Sequence, residues 1–252
     1  MFRNLGEMLL LFGATVRALP SAWRERHKIA EQLFDIGNAS LFMACLLSFF
    51  IGGVLSLQSG PVLVENGIGS ALGQLVGIAM CKELAPLMMS ILVAGRVGSA
   101  MAAELGSMRV YQEIDALRTL AIDPVRYLVF PRVVAISLAV PCLVIFANLA
   151  GWMGGALVAA HNDRIAVPWS TFFTGLREGI DTTDILNGLL KSFCFAVCIG
   201  VICCHQGLAT IGGPRGIGRS VTKAVVNSLV LILILDYLLT RILLPFDNVL
   251  GF

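Results

Sequence analysis

Five long, nearly uncharged stretches constrain this chain more than any other feature. They run over 38–57, 72–95, 133–160, 185–207 and 224–246. Only Lys82 and Glu83 interrupt the second, Lys191 the fourth, and Asp236 with Arg241 the fifth. Each is near the roughly 20 apolar residues that carry a helix across the hydrocarbon of a bilayer. With 57% of residues hydrophobic and 13% charged, a membrane protein is expected and not a soluble core. A spanning segment must satisfy its own backbone hydrogen bonds, and none of these stretches alternates as a lipid-facing barrel strand does, so all five are expected to be helices. The predicted fold class is an all-α integral membrane protein with five spans, in which Pro86 and Pro141 are tolerated kinks.

Lys and Arg set the predicted orientation. The N-terminal segment holds Arg3, Arg17, Arg24, Arg26 and Lys28, the loop after the second span Arg96, Arg109, Arg118, Arg126 and Arg132, and the loop after the fourth Arg215, Arg219 and Lys223. The remaining long loop holds only Arg164 and Arg177. Positive charge stays on the cytoplasmic side, so the N-terminus is expected inside and the C-terminus outside. The first residues lack the long apolar core and small-residue cleavage site of a secretory signal. Leu5, Met8, Leu9, Phe12 and Val16 recur there at helical spacing, with basic residues following. This pattern suits an amphipathic helix lying on the cytoplasmic leaflet over residues 1–30, or else a short buried helix.

The seven cysteines, Cys45, Cys81, Cys142, Cys194, Cys198, Cys203 and Cys204, all fall in apolar spans and define no disulfide framework. Cys203, Cys204 and His205 adjoin one another, but consecutive helical residues point about 100° apart and do not chelate together, so packing is the expected role and no metal site is assigned. The stretch GPRGIGRS, from Gly213 to Ser220, nearly matches a phosphate-cradling loop, yet Arg219 replaces the lysine and a membrane span precedes it instead of a strand. It is expected to cap the fifth helix. Nothing in the histidines His27, His161 and His205 composes a catalytic arrangement, so the chain is expected to be non-catalytic and to hold no cofactor of its own.

QEIDALRTLAIDP, from Gln112 to Pro124, is out of place in so apolar a chain. Before it, Gly98, Ala102 and Gly106 form a small-residue line at spacing four that lets helix backbones approach closely. Within it, Val110, Ile114, Leu117 and Ala121 make an apolar stripe, and Arg109, Gln112, Glu113, Asp115 and Arg118 take the other faces. Asp123 and Pro124 end it. One amphipathic helix at the membrane surface is predicted, serving either as a solvated re-entry loop or as a docking surface for a soluble partner.

The stretch KELAPLMMSILVAGRVGSAMAAELGSMRVYQEIDALRTLAIDPVRYLVFPRV resembles the signature region of the MlaE-type permeases, the membrane subunits of MCE-associated ABC transporters that move lipids in bacteria and chloroplasts. LQSGPVLV after the first span, LLKSFCFA in the fourth and LILDYLLT in the fifth extend the likeness through nearly the whole chain. The resemblance implies a single permease domain over 1–252, two copies forming a homodimeric core in a bacterial inner membrane, and a coupling region over 96–127. It further implies that Arg109, Glu113, Ile114, Asp115, Leu117 and Arg118 meet a separate ATPase subunit that binds ATP and Mg. Glu113 and Asp115 would face basic residues there, while Ile114 and Leu117 fill its groove. An MCE-domain ring on the periplasmic side and, in some systems, a small STAS-domain subunit complete the implied assembly. Lipid, most readily phospholipid, would bind at Leu55, Gln58, Val62, Leu63, Lys82, Glu83 and Lys191.

The charges inside the spans carry the substrate question. Lys82 lies ten residues past Leu72, roughly 15 Å into the bilayer at 1.5 Å per residue, where an ionised group faces a partner or a wet cavity. Adjacent Lys82 and Glu83 do not pair with each other on one helical face, so each needs a partner elsewhere. Lys191 lies roughly 9 Å from the outer end of its span and either snorkels to water or joins Lys82 and Glu83 in a polar cavity at the dimer interface. The expectation is that Lys82 and Glu83 face the cavity without an obligate protein partner, and that Asp236 pairs within the bundle. In the competing classes, an ion-coupled secondary transporter would use Lys82, Glu83 and Asp236 as a proton relay, and a membrane enzyme would need acid and imidazole groups at one depth. The chain shows neither an internal repeat nor such a cluster.

Overall fold

The computed structural model describes the backbone over 2–18 and 25–250 and the side chains over 6–18 and 25–243. Arg24, the side chains of Arg3 and Leu5 in the predicted N-terminal helix, and that of Phe246 at the predicted end of the fifth span lie outside these ranges. Among the described residues there is helix and no strand. The elements are α1 (Phe2–Arg17), α2 (Arg26–Glu65), α3 (Leu72–Ala79), α4 (Ala85–Val93), α5 (Ser99–Val110), α6 (Glu113–Thr119), α7 (Phe130–His161), α8 (Trp169–Gly179), α9 (Thr182–Leu208) and α10 (Gly213–Leu250). π-turns at Met80–Leu84 and Ala94–Gly98 separate α3, α4 and α5 without breaking the helical segment Gly69–Val110, and a third, Val125–Val129, leads into α7.

Five helical segments are long and apolar enough to span a membrane: Arg26–Glu65, Gly69–Val110, Val125–His161, Thr182–Leu208 and Gly213–Leu243. The predicted apolar stretches fall within these segments, with the end of the fifth beyond the described side chains. The helices are longer than the stretches because polar residues continue them past the hydrocarbon. At 1.5 Å per residue, the 40 residues of α2 reach about 60 Å, twice a hydrocarbon core. Pro61 and Pro141 sit inside α2 and α7 without ending either helix. GPRGIGRS forms the first two turns of α10.

The chain divides into two compact units. One comprises Met1–Asn38, Ser90–Val140 and Phe193–Tyr237, the other Ala39–Met89, Pro141–Ser192 and Leu238–Phe252. In the second unit, α2 buries a small-residue line at spacing four: Ser40, Ala44, Ser48, Gly52, Ser56 and Gly60. α7 crosses it at Gly151, so closely that a Cβ on Gly52 would fall 2.0 Å from the Gly151 carbonyl oxygen. Helix α8, which was not predicted, packs on α3 with Phe172 fully buried.

In the first unit, the line Gly98, Ala102 and Gly106 is buried against α9 and the chain following it. A Cβ on Gly98 would meet Cys203 Sγ at 2.8 Å, and one on Gly207 would lie 3.4 Å from Ala102 Cα. Cys203 is therefore a packing residue. Buried Arg132, at the start of α7, reaches Glu104 on α5 at 3.0 Å. Helix α1 packs on the π-turn Val125–Val129, buries Leu11 and Thr15, and brings Glu7 to 3.4 Å from His205. Of its predicted stripe, Leu9, Phe12 and Val16 face outward.

Candidate functional site: a paired charge cluster and a broken surface helix

The charge cluster within the spans begins with a backbone irregularity. At the π-turn Met80–Leu84 the N–H of Ala85 bonds back to Met80 O, five residues away. Pro86 follows and has no N–H to give the Lys82 carbonyl in the usual helical position. That carbonyl accepts Lys191 Nζ at 3.2 Å instead. The helix wall opposite is thin here: a Cβ on Gly188 would lie 2.1 Å from Cys81 O, so α9 passes directly against the π-turn.

Lys191 is 3% exposed and uses all three of its donors. Besides the Lys82 carbonyl it donates to Glu83 Oε1 at 2.7 Å and to Thr240 Oγ1 at 2.7 Å. The Thr240 hydroxyl passes a hydrogen bond on to the same Glu83 oxygen at 3.1 Å. One turn and more away, Lys82 Nζ pairs with Asp184 Oδ1 at 2.8 Å. Asp184 is buried in the first turn of α9, where the helix dipole favours a carboxylate, and its other oxygen accepts the Asp181 N–H at 3.3 Å. The result is two lysines matched by two carboxylates within one unit.

Two expectations change. Lys191 does not snorkel, because its ammonium is surrounded by acceptors. Lys82 and Glu83 do not stand without fixed partners either: the chain itself supplies Asp184 and Lys191, as a mid-membrane charge demands. The side chains of Lys82 and Glu83 nonetheless keep 31% and 39% of their surface open, whereas those of Lys191 and Asp184 do not. Asp184 was missed in the sequence. It lies seven residues before Lys191 and thus on the same face of α9, which was the available signal. Asp236 has an interaction partner, as expected. Of the predicted lining on α2, Gln58 and Val62 are exposed and Leu55 and Leu63 half-buried. The structure brings together Lys82, Glu83 and Lys191.

The surface segment between the second and third spans is not one helix. α5 stops at Val110, Gln112 takes a left-handed φ of 62°, and α6 runs only from Glu113 to Thr119. Its end is a Schellman turn: Ala121 N–H bonds to Arg118 O at 3.0 Å and Ile122 N–H to Leu117 O at 3.0 Å, with Ala121 at φ 58°. The stop therefore precedes Asp123 and Pro124.

The apolar stripe faces the chain's own interior. Ile114 is 1% exposed, so it does not fill a partner's groove, and Leu117 is half-buried. Asp115 is held by Arg109 at 2.7 Å and Arg118 at 3.4 Å, so it is no free charge for a partner either. A short segment with little core of its own uses its apolar face to seat itself. What remains outward is Glu113 and Arg118, and with them Tyr111, Leu120 and Ile122, which the stripe argument passed over. Among the described residues no group of three or more His, Cys, Asp and Glu could hold a metal ion.

Residues 29–242 match the family described as Permease MlaE. A probable ABC transporter permease protein of Rickettsia bellii is 40% identical over 85% of this chain and 82% of its own length. The chloroplastic protein TRIGALACTOSYLDIACYLGLYCEROL 1 of Arabidopsis thaliana is 35% identical over 95% of this chain and 67% of its own. The intermembrane phospholipid transport system permease protein MlaE of Haemophilus influenzae is 34% identical over 96% of this chain and 92% of its own. With the family match spanning four-fifths of its length and similarity sustained through all five apolar helices, this multi-pass membrane protein belongs to the MlaE permease family.

Proposed function

We propose that this chain is the membrane subunit of an ATP-driven transporter that moves phospholipid between an inner membrane and an MCE-domain partner. The observation that carries the reading is the 34% identity, over 96% of the chain, to a protein named as an intermembrane phospholipid transport permease. Two copies form the core, the N-terminus lies in the cytoplasm and the C-terminus in the periplasm, and the outward apolar face of α1 rests in the cytoplasmic leaflet. A separate ATPase, which binds ATP and Mg, docks on α6 through Glu113, Arg118, Tyr111, Leu120 and Ile122. An MCE ring receives lipid on the outer side, and in some systems a small cytoplasmic STAS-domain subunit joins the assembly.

The paired cluster supports a role for Lys82 and Glu83 at the lipid site. Their open edges suit a zwitterionic or anionic headgroup, with the lysine as a compact cation toward phosphate. Lys191 and Asp184 act behind them as positioning residues. Leu55, Gln58, Val62 and Leu63 offer acyl chains a mostly apolar path along α2. The test is reconstitution of the permease with its ATPase and MCE partner in proteoliposomes, following ATP-dependent transfer of labelled phospholipid. Transfer that requires ATP and falls at least tenfold in the double variant Lys82→Gln with Asp184→Asn, which leaves neither charge buried alone, with assembly retained, is expected. Transfer indifferent to ATP would refute the function, and unchanged transfer in the variant would remove Lys82 from the site.

A further inference from the structure

Where α8 packs on α3, the second unit forms a cavity of about 340 Å³ that shares no residue with the charge cluster. Its walls come from the 3₁₀ turn Gly69–Ala71, the first turn of α3 and one face of α8. The two walls meet without side chains between them. A Cβ on Gly73 would run into the Phe172 carbonyl oxygen, and one on Gly175 into that of Ser70, so backbone touches backbone at this crossing. Phe172 is fully buried, and the cavity is thus built on fixed elements.

The lining is polar. Ser70, Gln74, Ser170, Thr171, Thr174 and Glu178 supply four hydroxyls, one amide and one carboxylate, and no cation or aromatic ring joins them. Helical spacing puts residues 170, 171, 174 and 178 on one face of α8, whereas Trp169 and Phe173, stacked with ring centroids 6.1 Å apart, take the next. Thr174 donates its hydroxyl to Ser170 O at 2.8 Å, which leaves its oxygen as an acceptor. Glu178 is exposed, and no ion pair among the described residues occupies it.

The cavity opens at the depth of lipid headgroups. Ser70 and Ala71 directly precede the apolar stretch that starts at Leu72, and α8 lies between the spans that end at His161 and begin at Thr182. Tryptophan beside the end of a span sits at headgroup level, and Trp169 is 39% exposed. This is the end of Gly69–Val110 opposite the surface segment. The volume is at the small end of the roughly 300–1,000 Å³ of small-molecule sites, and the lining holds no large apolar side chain, so a polar group fits and acyl chains stay outside. A carboxylate with no cation beside it repels a net anionic headgroup. A quaternary ammonium is held by aromatic faces, which this lining lacks. A primary ammonium brings three N–H donors, which match the Glu178 carboxylate and the hydroxyl oxygens, while the amide and the remaining hydroxyls donate to a phosphate.

We propose that this cavity is a headgroup site for a phospholipid bearing a primary ammonium, such as phosphatidylethanolamine, in the leaflet opposite the surface segment. In the proposed topology that leaflet is the outer one. Glu178 takes the ammonium, and the hydroxyls of Ser70, Ser170 and Thr171 with the Gln74 amide take the phosphate. The cavity sorts lipids by headgroup, and binding there requires neither ATP nor a partner subunit.

The decisive experiment is native mass spectrometry of the delipidated permease, titrated with phosphatidylethanolamine, phosphatidylcholine or phosphatidylglycerol of identical acyl chains. Phosphatidylethanolamine is expected to bind about tenfold more tightly than the other two, the worth of one charge-assisted hydrogen bond. Glu178→Gln, at an exposed position where the fold tolerates the change, should bring the three affinities together, and Glu178→Asp should restore part of the preference. Equal affinities in the wild type, or a preference that survives Glu178→Gln, overturn the proposal. Glycerophosphoethanolamine binding as tightly as the lipid makes a soluble amine the ligand and also overturns it. A permease that shows the preference and its loss in Glu178→Gln, yet transfers lipid without ATP, keeps this site and loses the transport reading.

Discussion

Glu83→Gln should destabilise the protein more than Lys191→Met does, although the two substitutions break the same ion pair. The reason is the difference in exposure of the two side chains, 3% for Lys191 and 39% for Glu83. In Glu83→Gln the buried ammonium keeps the Lys82 carbonyl and the Thr240 hydroxyl but loses the Glu83 carboxylate. Removing one partner of a buried ion pair costs about 3–5 kcal/mol. In Lys191→Met the ammonium is gone, and the remaining carboxylate can draw water to its open edge and keeps the Thr240 hydroxyl, so a loss of about 1–2 kcal/mol is expected. The double variant removes both charges and should recover most of the stability lost in Glu83→Gln. At about 2–4 °C per kcal/mol for a chain of this size, Glu83→Gln should lower Tm by roughly 6–20 °C. The assay is thermal unfolding of the purified permease in one detergent for the wild type, both single variants and the double variant. Equal losses in the two singles, or additive losses in the double, would refute the reasoning.

Ala102 is fully buried beside Gly207, so Ala102→Leu should overpack the α5–α9 contact and cost about 1–3 kcal/mol, read as a lower Tm. Ala121 adopts a left-handed φ of 58° that glycine reaches freely, so Ala121→Gly should stabilise the end of α6 by up to about 1 kcal/mol, seen as slower amide exchange at Ile122. Asp115→Lys should loosen its own surface segment by setting three cations together, whereas Glu113→Lys with Leu120→Asp should leave Tm unchanged and reduce copurification of the ATPase. Recovery of normal ATPase binding in the second pair would remove α6 from the docking surface.

Much of the architecture follows from local chemistry that a sequence displays. Uncharged runs of spanning length have no low-energy alternative to helix in a bilayer, so the five spans and the packing role of Gly98, Ala102 and Gly106 could be read from residue type and spacing. What the tertiary structure decided is direction and partnership. Helical periodicity places Ile114 and Leu117 on one face but is silent on whether that face meets a partner or the chain's own core, and here the core took Ile114. The π-turn at Met80–Leu84 shifts the register so that Lys82 and Glu83 reach different partners on α9, and the partners come from residues about 100 positions away. A charge in a span announces that it needs compensation. Which side chain compensates it depends on how α9 crosses that turn, a long-range geometry that neither hydropathy nor periodicity encodes.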